Sequence, residues 1–355
     1  MDLDLFLSIL NIPSLSGDER LLAESLGKRL PFGGCSVQSH EVGDGTVNLL
    51  FDWSGTGKPS FVFCTHLDTV PPYIAPVVSD VSEGDILPDR KAAVRDDVIV
   101  TGRGSCDAKG QIFAMYSACR QLYEEGFRDF GLLLLAGEET GSFGAKAYSR
   151  DCPGGKFVLV GEPTDNCLVS ASKGTKAFGI TIPGRACHSG YPEYGKSAVD
   201  RFVNFINALR LTKFPLDPIL GDTTWNVGGL VSDNPQNILS PEVRFRLYFR
   251  TTFTTDSLIE DILSGICPHD ASLEAFGGDS PLRYYHVVEG IASKTVSFGS
   301  DAPRLTKFPE RAICGPGSIL TAHTDNEYVL LSEMEKAVCQ YVKIFKTVNG
   351  QKQID

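Results

Sequence analysis

The chain has 355 residues, 42% hydrophobic and 22% charged, with a formal charge of −11 at pH 7. That length predicts two domains, or one large domain carrying an insertion. The acidic balance excludes nucleic acid and an anionic membrane surface as partners. Ten cysteines are scattered with no C-x-x-C pair, the pattern of free thiols in a reducing compartment. The start "MDLDLFLSIL" has no basic n-region. No apolar run approaches the roughly 18 residues that would span a bilayer, so the expected location is the cytoplasm.

In chain order, residues 3–10 read as a short amphipathic helix ending near Pro13. "SGDERLLAESLGKRL" reads as a second helix, with Ser16 or Asp18 as N-cap. Strands then alternate with helical patterns. After Asp107, the spacing of Ile112, Met115, Tyr116, Cys119, Leu122 and Tyr123 predicts one apolar helix face. This alternation predicts an α/β fold with a doubly wound, mostly parallel sheet.

The pattern changes near residue 172. "KAFGITIPG" reads as a strand, and residues 197–210 as a helix with Val199, Phe202, Val203, Ile206 and Leu209 inward. "TWNVGGLVS" and "EVRFRLYFRT" are alternating strands, Leu258–Ile266 is a helix, and a weaker strand lies near Leu273–Phe276. The order β-α-β-β-α-β is that of a ferredoxin-like module. The expected division is a catalytic domain over 1–171 and 286–355, with an inserted lid domain over 172–285.

Chemistry gathers where apolar runs end. "FVFCTHLDTV" brings His66 and Asp68, "VIVTGRGSCDAKG" Asp107, "LLLLAGEETGS" Glu138 and Glu139, "FVLVGEPT" Glu162, and "ILTAHTDNEYV" His323. The carboxyl ends of parallel strands open onto a ligand crevice. Carboxylates and imidazoles buried there need a counter-charge, and the set is large enough for two metal ions. Such a pair, about 3.5–4 Å apart, needs one shared carboxylate and two further ligands for each ion. Asp107 suits the bridge, with His66, Glu139, Glu162 and His323 as terminal ligands. Nitrogen and oxygen donors without thiolate suit two Zn²⁺ or Co²⁺ ions per subunit. Asp68, on the same strand face as His66, is placed to hold the other ring nitrogen. Glu138 is left as a spare carboxylate and candidate general base. Cys106 is expected only to pack. "GRGSCDAKG" has Asp107 at the third glycine position of a phosphate loop, which argues against a nucleotide site.

Together, "THLDTV", "GRGSCDAKG", "GEETGS", "GEPT" and "AHTDNEY" resemble the dinuclear zinc deacylase and carboxypeptidase family, which includes acetylornithine deacetylase and succinyl-diaminopimelate desuccinylase. The resemblance spans nearly the whole chain. It implies one metal on His66, Asp107 and Glu162, the other on Glu139, Asp107 and His323, and a cis peptide at Asp107–Ala108. It also implies a lid that often forms a homodimer. His188, in "GRACHSGYPEYGKSA", would stabilise an oxyanion, and Asn237 and Arg250 would hold a substrate carboxylate.

Glu162 rather than Asp is similar to the acyl-amino-acid hydrolases and carboxypeptidases. "SFGSDAPRL" and "GPGSILTAHTDNEYV" resemble acetylornithine and acetyl-lysine deacetylases, and Asp301 is a candidate for meeting a basic substrate side chain. The implied substrate is a small N-acyl amino acid, with N-acetylornithine foremost, cleaved by metal-bound hydroxide with Glu138 as general base. Alternatives are deacetylation of acetyl-lysine or acetylcitrulline, desuccinylation, dipeptide or carboxypeptidase cleavage, and a non-catalytic metal-binding homologue. One departure is "SPLRYYHVVEGIASKTV", too short and too strand-like for the helix that relatives carry there; His286 within it is read as structural.

Overall fold

The computed structural model describes residues 1–43, 45–82, 87 and 96–350. They fall into two compact units. The first comprises Met1–Ser170, Tyr284–Lys294 and Ser300–Asp355; the second comprises Ala171–Arg283 and Thr295–Gly299. No helix among the described residues is long and apolar enough to cross a membrane.

The first unit opens with helices α1 (Leu3–Leu10) and α2 (Arg20–Arg29), then strands β1 (Ser36–Gly43), β2 (Thr46–Asp52), β3 (Phe61–His66), β4 (Val77–Val81) and β5 (Asp97–Thr101). It continues through α3 (Lys109–Glu124), β6 (Phe130–Leu135), α4 (Phe143–Asp151), β7 (Phe157–Val160) and β8 (Leu168–Ser172), which leads into the second unit. That unit holds β9 (Gly174–Pro183), α5 (Ala198–Leu211), β10 (Thr224–Val231), β11 (Glu242–Thr251), α6 (Ile259–Ile266) and β12 (Ser272–Gly277). The chain returns through β13 (Leu282–Arg283) and β14 (Ser293–Val296), and ends with β15 (Glu310–Ile313), β16 (Tyr328–Leu330) and α7 (Leu331–Val348).

The main sheet has the order β1-β2-β6-β3-β7-β15. Its β6, β3, β7 and β15 strands run parallel, with His66 beside Leu135 and Cys64 beside Val160. Every residue of β3 and β6 is buried, as expected of parallel strands covered on both faces. On one face, Phe61, Phe63, Leu132, Leu134, Phe157 and Leu159 join a core with residues of α1, α2, α3 and α7.

The sheet is mixed, because β1 and β2 run antiparallel at one edge. The link from Gly43 to Thr46 is too short for a crossover, so these strands must form a hairpin. A second small sheet, β16-β5-β4, is antiparallel and pairs Tyr328 with Thr101. The second unit has the order β10-β11-β9-β12, all antiparallel, which is the ferredoxin-like arrangement. Along β11, Val243, Phe245, Leu247 and Phe249 point into its core with α5 and α6.

Two local expectations are corrected. The N-cap of α2 is Glu19, not Ser16 or Asp18, and it caps through no side-chain bond. Its carboxylate instead accepts the N–H groups of Gly17 at 3.0 Å and Gly137 at 3.1 Å. In α5, Val199 and Val203 are 40% and 47% exposed, while Phe205 is buried with Ala198, Ile206 and Leu209. Helical spacing there admits two overlapping apolar stripes, and contact with β9 and β11 selects the one carrying Phe205. His286 Nδ1 bonds the carbonyl of Tyr284 at 2.8 Å.

Candidate metal centre

The parallel register gathers the ligand loops at one edge of the first unit. His66 is the last residue of β3; Glu138 and Glu139 lie just beyond β6; Glu162 lies just beyond β7. From the small sheet, Asp107 follows β5 and His323 precedes β16. Strand ends supply rigid supports, and the loops aim the side chains.

Three sets have ligand atoms within 4.8 Å of one another: His66, Asp107 and Glu162; Asp107, Glu139 and His323; and His66, Glu138 and Glu139. Asp107 belongs to the first two. Its Oδ1 lies 3.0 Å from His66 Nε2 and its Oδ2 lies 3.4 Å from His323 Nε2. His323 Nε2 also meets Glu139 Oε1 at 2.8 Å. The Asp107–Ala108 peptide is cis, and His323 has a positive φ of 63°.

Asp68 does more than was expected of it. His66 Nδ1 is nearest the backbone carbonyl of Asp68, at 2.9 Å, and lies 3.3 Å from Oδ1. The carboxylate mainly organises the next loop: Oδ1 accepts the N–H of Glu138 at 3.0 Å and Oδ2 that of Glu139 at 3.1 Å. Ser16 Oγ adds a donor to Oδ2 at 2.8 Å.

Electrostatics show what the cluster lacks. Burial pushes the Glu138 and Glu162 carboxyls well above the usual carboxylate range, and neighbouring acids add to it. Glu162 Oε1 is buried with no hydrogen-bond partner. Burial also raises Asp107, but the hydrogen bonds of His323 and His66 outweigh it and hold that carboxyl well below its ordinary value. Hydrogen bonds to Asp107 and Glu139 drive His323 up to about 10. His66 is raised as well: burial opposes the shift, and Asp107 and Asp68 overcome it. These shifts mark a cluster that favours added positive charge. An orphaned carboxylate oxygen and a shared aspartate between two donor sets fit a pair of divalent metal ions.

Asp301 is 1% exposed, and burial lifts its carboxyl to about 7 against the opposing pull of Ser142. Cys106 is buried, with Sγ 3.9 Å from the Ser318 carbonyl and from Thr321 Oγ1, and burial raises its thiol. All ten cysteines are free thiols.

The remaining candidates belong to the second unit. His188 is exposed, and its Nδ1 accepts the Gly190 N–H at 3.1 Å. Its neutral ring therefore carries the proton on Nε2, free to donate. The N–H of Ser189 donates to the Asn237 carbonyl at 2.8 Å, so the segments of His188 and Asn237 pair. Arg250 lies on β11 with its guanidinium 5.0 Å from the Tyr248 ring centre, and no carboxylate among the described residues pairs with it.

Sequence reasoning missed Arg103 and Glu327, which form an ion pair at 2.7 Å behind the metal-ligand loops. Glu327 stands four residues after His323, but an acid in a polar loop looks solvated until its burial is known.

Comparison with known proteins places these residues in context. The profile of peptidase family M20/M25/M40 matches residues 62–347. A "probable carboxypeptidase" of Aspergillus oryzae is 31% identical over 372 residues, covering 95% of this chain and 88% of the relative. Among solved structures, a tripeptidase from Staphylococcus aureus superposes with a TM-score of 0.76 at 21% identity, covering 98% of each chain. An M20 family metallo-carboxypeptidase from Sulfolobus solfataricus gives 0.71 at 16% identity, covering 98% of this chain and 99% of the other. At those identities the structures speak to the fold alone.

Proposed function

Since the chain belongs to peptidase family M20/M25/M40, a family of metal-dependent hydrolases, we propose that it cleaves the amide bond preceding an amino acid with a free carboxylate. The substrate is a small peptide with an open C-terminus or an N-acyl amino acid. The observation that carries this reading is the Asp107-centred cluster, with Glu138 beside it and outside the two sets that share Asp107.

His66, Asp107 and Glu162 would hold one divalent ion, and Asp107, Glu139 and His323 the other; the donor set suits Zn²⁺ or Co²⁺. When bound, the metals supply Lewis acidity toward water and the amide carbonyl. Glu138 takes a proton from the attacking water and returns it to the leaving amine. A raised carboxyl favours both halves of that transfer. Asp68 fixes the Glu138 backbone and so the bearing of its side chain. His188 donates from Nε2 to the developing oxyanion. Arg250, with Asn237, binds the carboxylate of the substrate; an unpaired guanidinium suits that planar group.

The carboxypeptidase direction is supported by the name of the Aspergillus relative, which this chain matches over most of both lengths. A narrower reading, removal of an acetyl group from N-acetylornithine or a similar basic amino acid, is favoured by Asp301, a buried carboxylate that a cationic side chain would neutralise. The protein would act as a homodimer through the second unit, where Leu230 and Val231 of the edge strand β10 are 53% and 46% exposed.

The test is release of free amino acid by Zn- or Co-loaded protein from N-blocked dipeptides, N-acetyl and N-succinyl amino acids and free dipeptides. Preference for N-blocked peptides supports the carboxypeptidase reading, and preference for acetylornithine the narrower one. A protein with two metal ions bound and no turnover on any of them sinks both, and leaves a non-catalytic metal-binding homologue.

A further inference from the structure

Arg103 and Glu327 are each 1% exposed, and their contacts reach the loops that carry Asp107 and His323. Arg103 Nη1 donates to Glu327 Oε2 at 2.7 Å and to the Thr324 carbonyl at 3.1 Å, while Nε donates to the Pro72 carbonyl at 3.3 Å. Glu327 Oε1 accepts the N–H groups of Cys106 and Asp107, both at 3.1 Å. The main chain closes the same knot, from Gly102 N–H to the Glu327 carbonyl at 3.0 Å and from Arg103 N–H to the Ile74 carbonyl at 3.0 Å. Three segments meet here: the stretch beyond His66, the loop that ends at Asp107, and the turn just after His323.

Stability alone is a poor reason for such a pair. Taking two charges out of water costs more than their attraction reliably returns, and apolar residues of like volume often serve as well. Glu327 also places a second negative charge beside Asp107, which is unfavourable unless positive charge lies on the far side. What the pair does supply is bearing. With the N–H groups of Cys106 and Asp107 both pinned to one carboxylate oxygen, the main chain that carries the Asp107 side chain toward His66 and His323 is held in place. Groups that orient a ligand in this way commonly matter about 10–100-fold in metal affinity.

We infer that Arg103 and Glu327 form a positioning pair that sets Asp107 against His323, and with it the affinity for the metal held by Asp107, Glu139 and His323. The inference rests on the two-metal reading above. It makes the pair a coupling element between the two half-sites, since Asp107 serves both.

The experiment titrates metal-free full-length protein with zinc against a chelating indicator, and measures bound metal after dialysis. It compares the wild type with Glu327→Gln, Arg103→Lys and Arg201→Gln, the last removing an ion pair with Asp270 in the second unit. Glu327→Gln and Arg103→Lys should weaken zinc binding at one site at least by about 10–100-fold. KM should stay near wild type, and kcat should recover at excess zinc. Arg201→Gln should change neither affinity. Wild-type affinities at both sites in the two variants would overturn the inference, as would losses no larger than in Arg201→Gln. If Glu327→Gln does not fold, Arg103→Lys carries the test, because it keeps the charge and loses only the fork. Uptake of fewer than two ions by the wild type would overturn the two-metal reading, and this inference with it.

Discussion

Asp68 Oδ1 accepts the backbone N–H of Glu138 at 3.0 Å, so the residue two places after His66 also fixes the loop that carries the proposed base. The same carboxylate accepts the Glu139 N–H through Oδ2. Replacing Asp68 by Asn puts an amide N–H₂ against one of these donors. Asp68→Asn should then lower zinc affinity or kcat by about 10–100-fold. Chelator competition and steady-state kinetics on the same preparation check this, and wild-type values in both would remove the organising role.

Glu138 is expected to behave differently from its neighbour. Glu138→Gln keeps the shape and removes the group that can take up and return a proton, so both metals should stay bound while kcat falls by about 10²–10⁴-fold. Glu139→Gln should lose metal as well as activity. Metal analysis beside single-turnover rates separates the two, and an active Glu138→Gln enzyme would falsify the assignment of the base.

How much of this was readable beforehand depends on what each residue needs. The parallel strands announce themselves, because β3, β6 and β7 are mostly apolar runs, with a histidine at the end of β3 and acids shortly after β6 and β7. The ferredoxin-like unit is legible from alternation such as that of β11, where one strand face is wet and the other dry. The β1–β2 hairpin gives little signal, since β1 alternates only between half-buried and exposed positions. Val199 and Val203 depart from the helical pattern because α5 carries more apolar residues than one face needs. Arg103 and Glu327 were invisible for a different reason: their role exists only once the β5 and β16 loops lie together, and nothing local in "TGRGSCD" or "TDNEYV" encodes that pairing.

The metal-free protein should become less stable as pH rises. His323 has an ordinary pKa of 6.5 and stands at about 10 in the fold. A raised base contributes stability that is complete below about 6.5 and lost as pH climbs through about 10. Asp301 is raised from 3.8 to about 7, so the folded chain holds a proton the unfolded chain has released, and stability falls across that window too. Metal binding displaces the His323 proton. Calorimetry of chelator-treated protein should show Tm declining from pH 4 to 10, and zinc should abolish the decline above pH 6.5. A metal-free Tm that rises through that range would contradict the proton placement.

His188 and Arg250 are proposed to act on substrate, and neither should hold metal. His188→Ala should therefore lower kcat while leaving two metals bound; loss of zinc would make His188 a ligand instead.

Arg250 gives the sharper discrimination. A guanidinium meets a carboxylate with two parallel hydrogen bonds, and an ammonium cannot reproduce that fork. Hydrogen bonds to charged groups contribute about 1.5–3 kcal/mol each, so Arg250→Lys should cost roughly 10–100-fold in kcat/KM on substrates with a free carboxylate. The same substrates capped as C-terminal amides offer no charge to lose. They should be poor for the wild type and nearly unaffected by Arg250→Lys. The ratio of kcat/KM for acid over amide is therefore the quantity to measure, because it cancels any general damage to the fold. A collapse of that ratio toward unity in the variant places the carboxylate on Arg250. An unchanged ratio with both values depressed shows that Arg250 supports β11 and that the carboxylate is bound elsewhere.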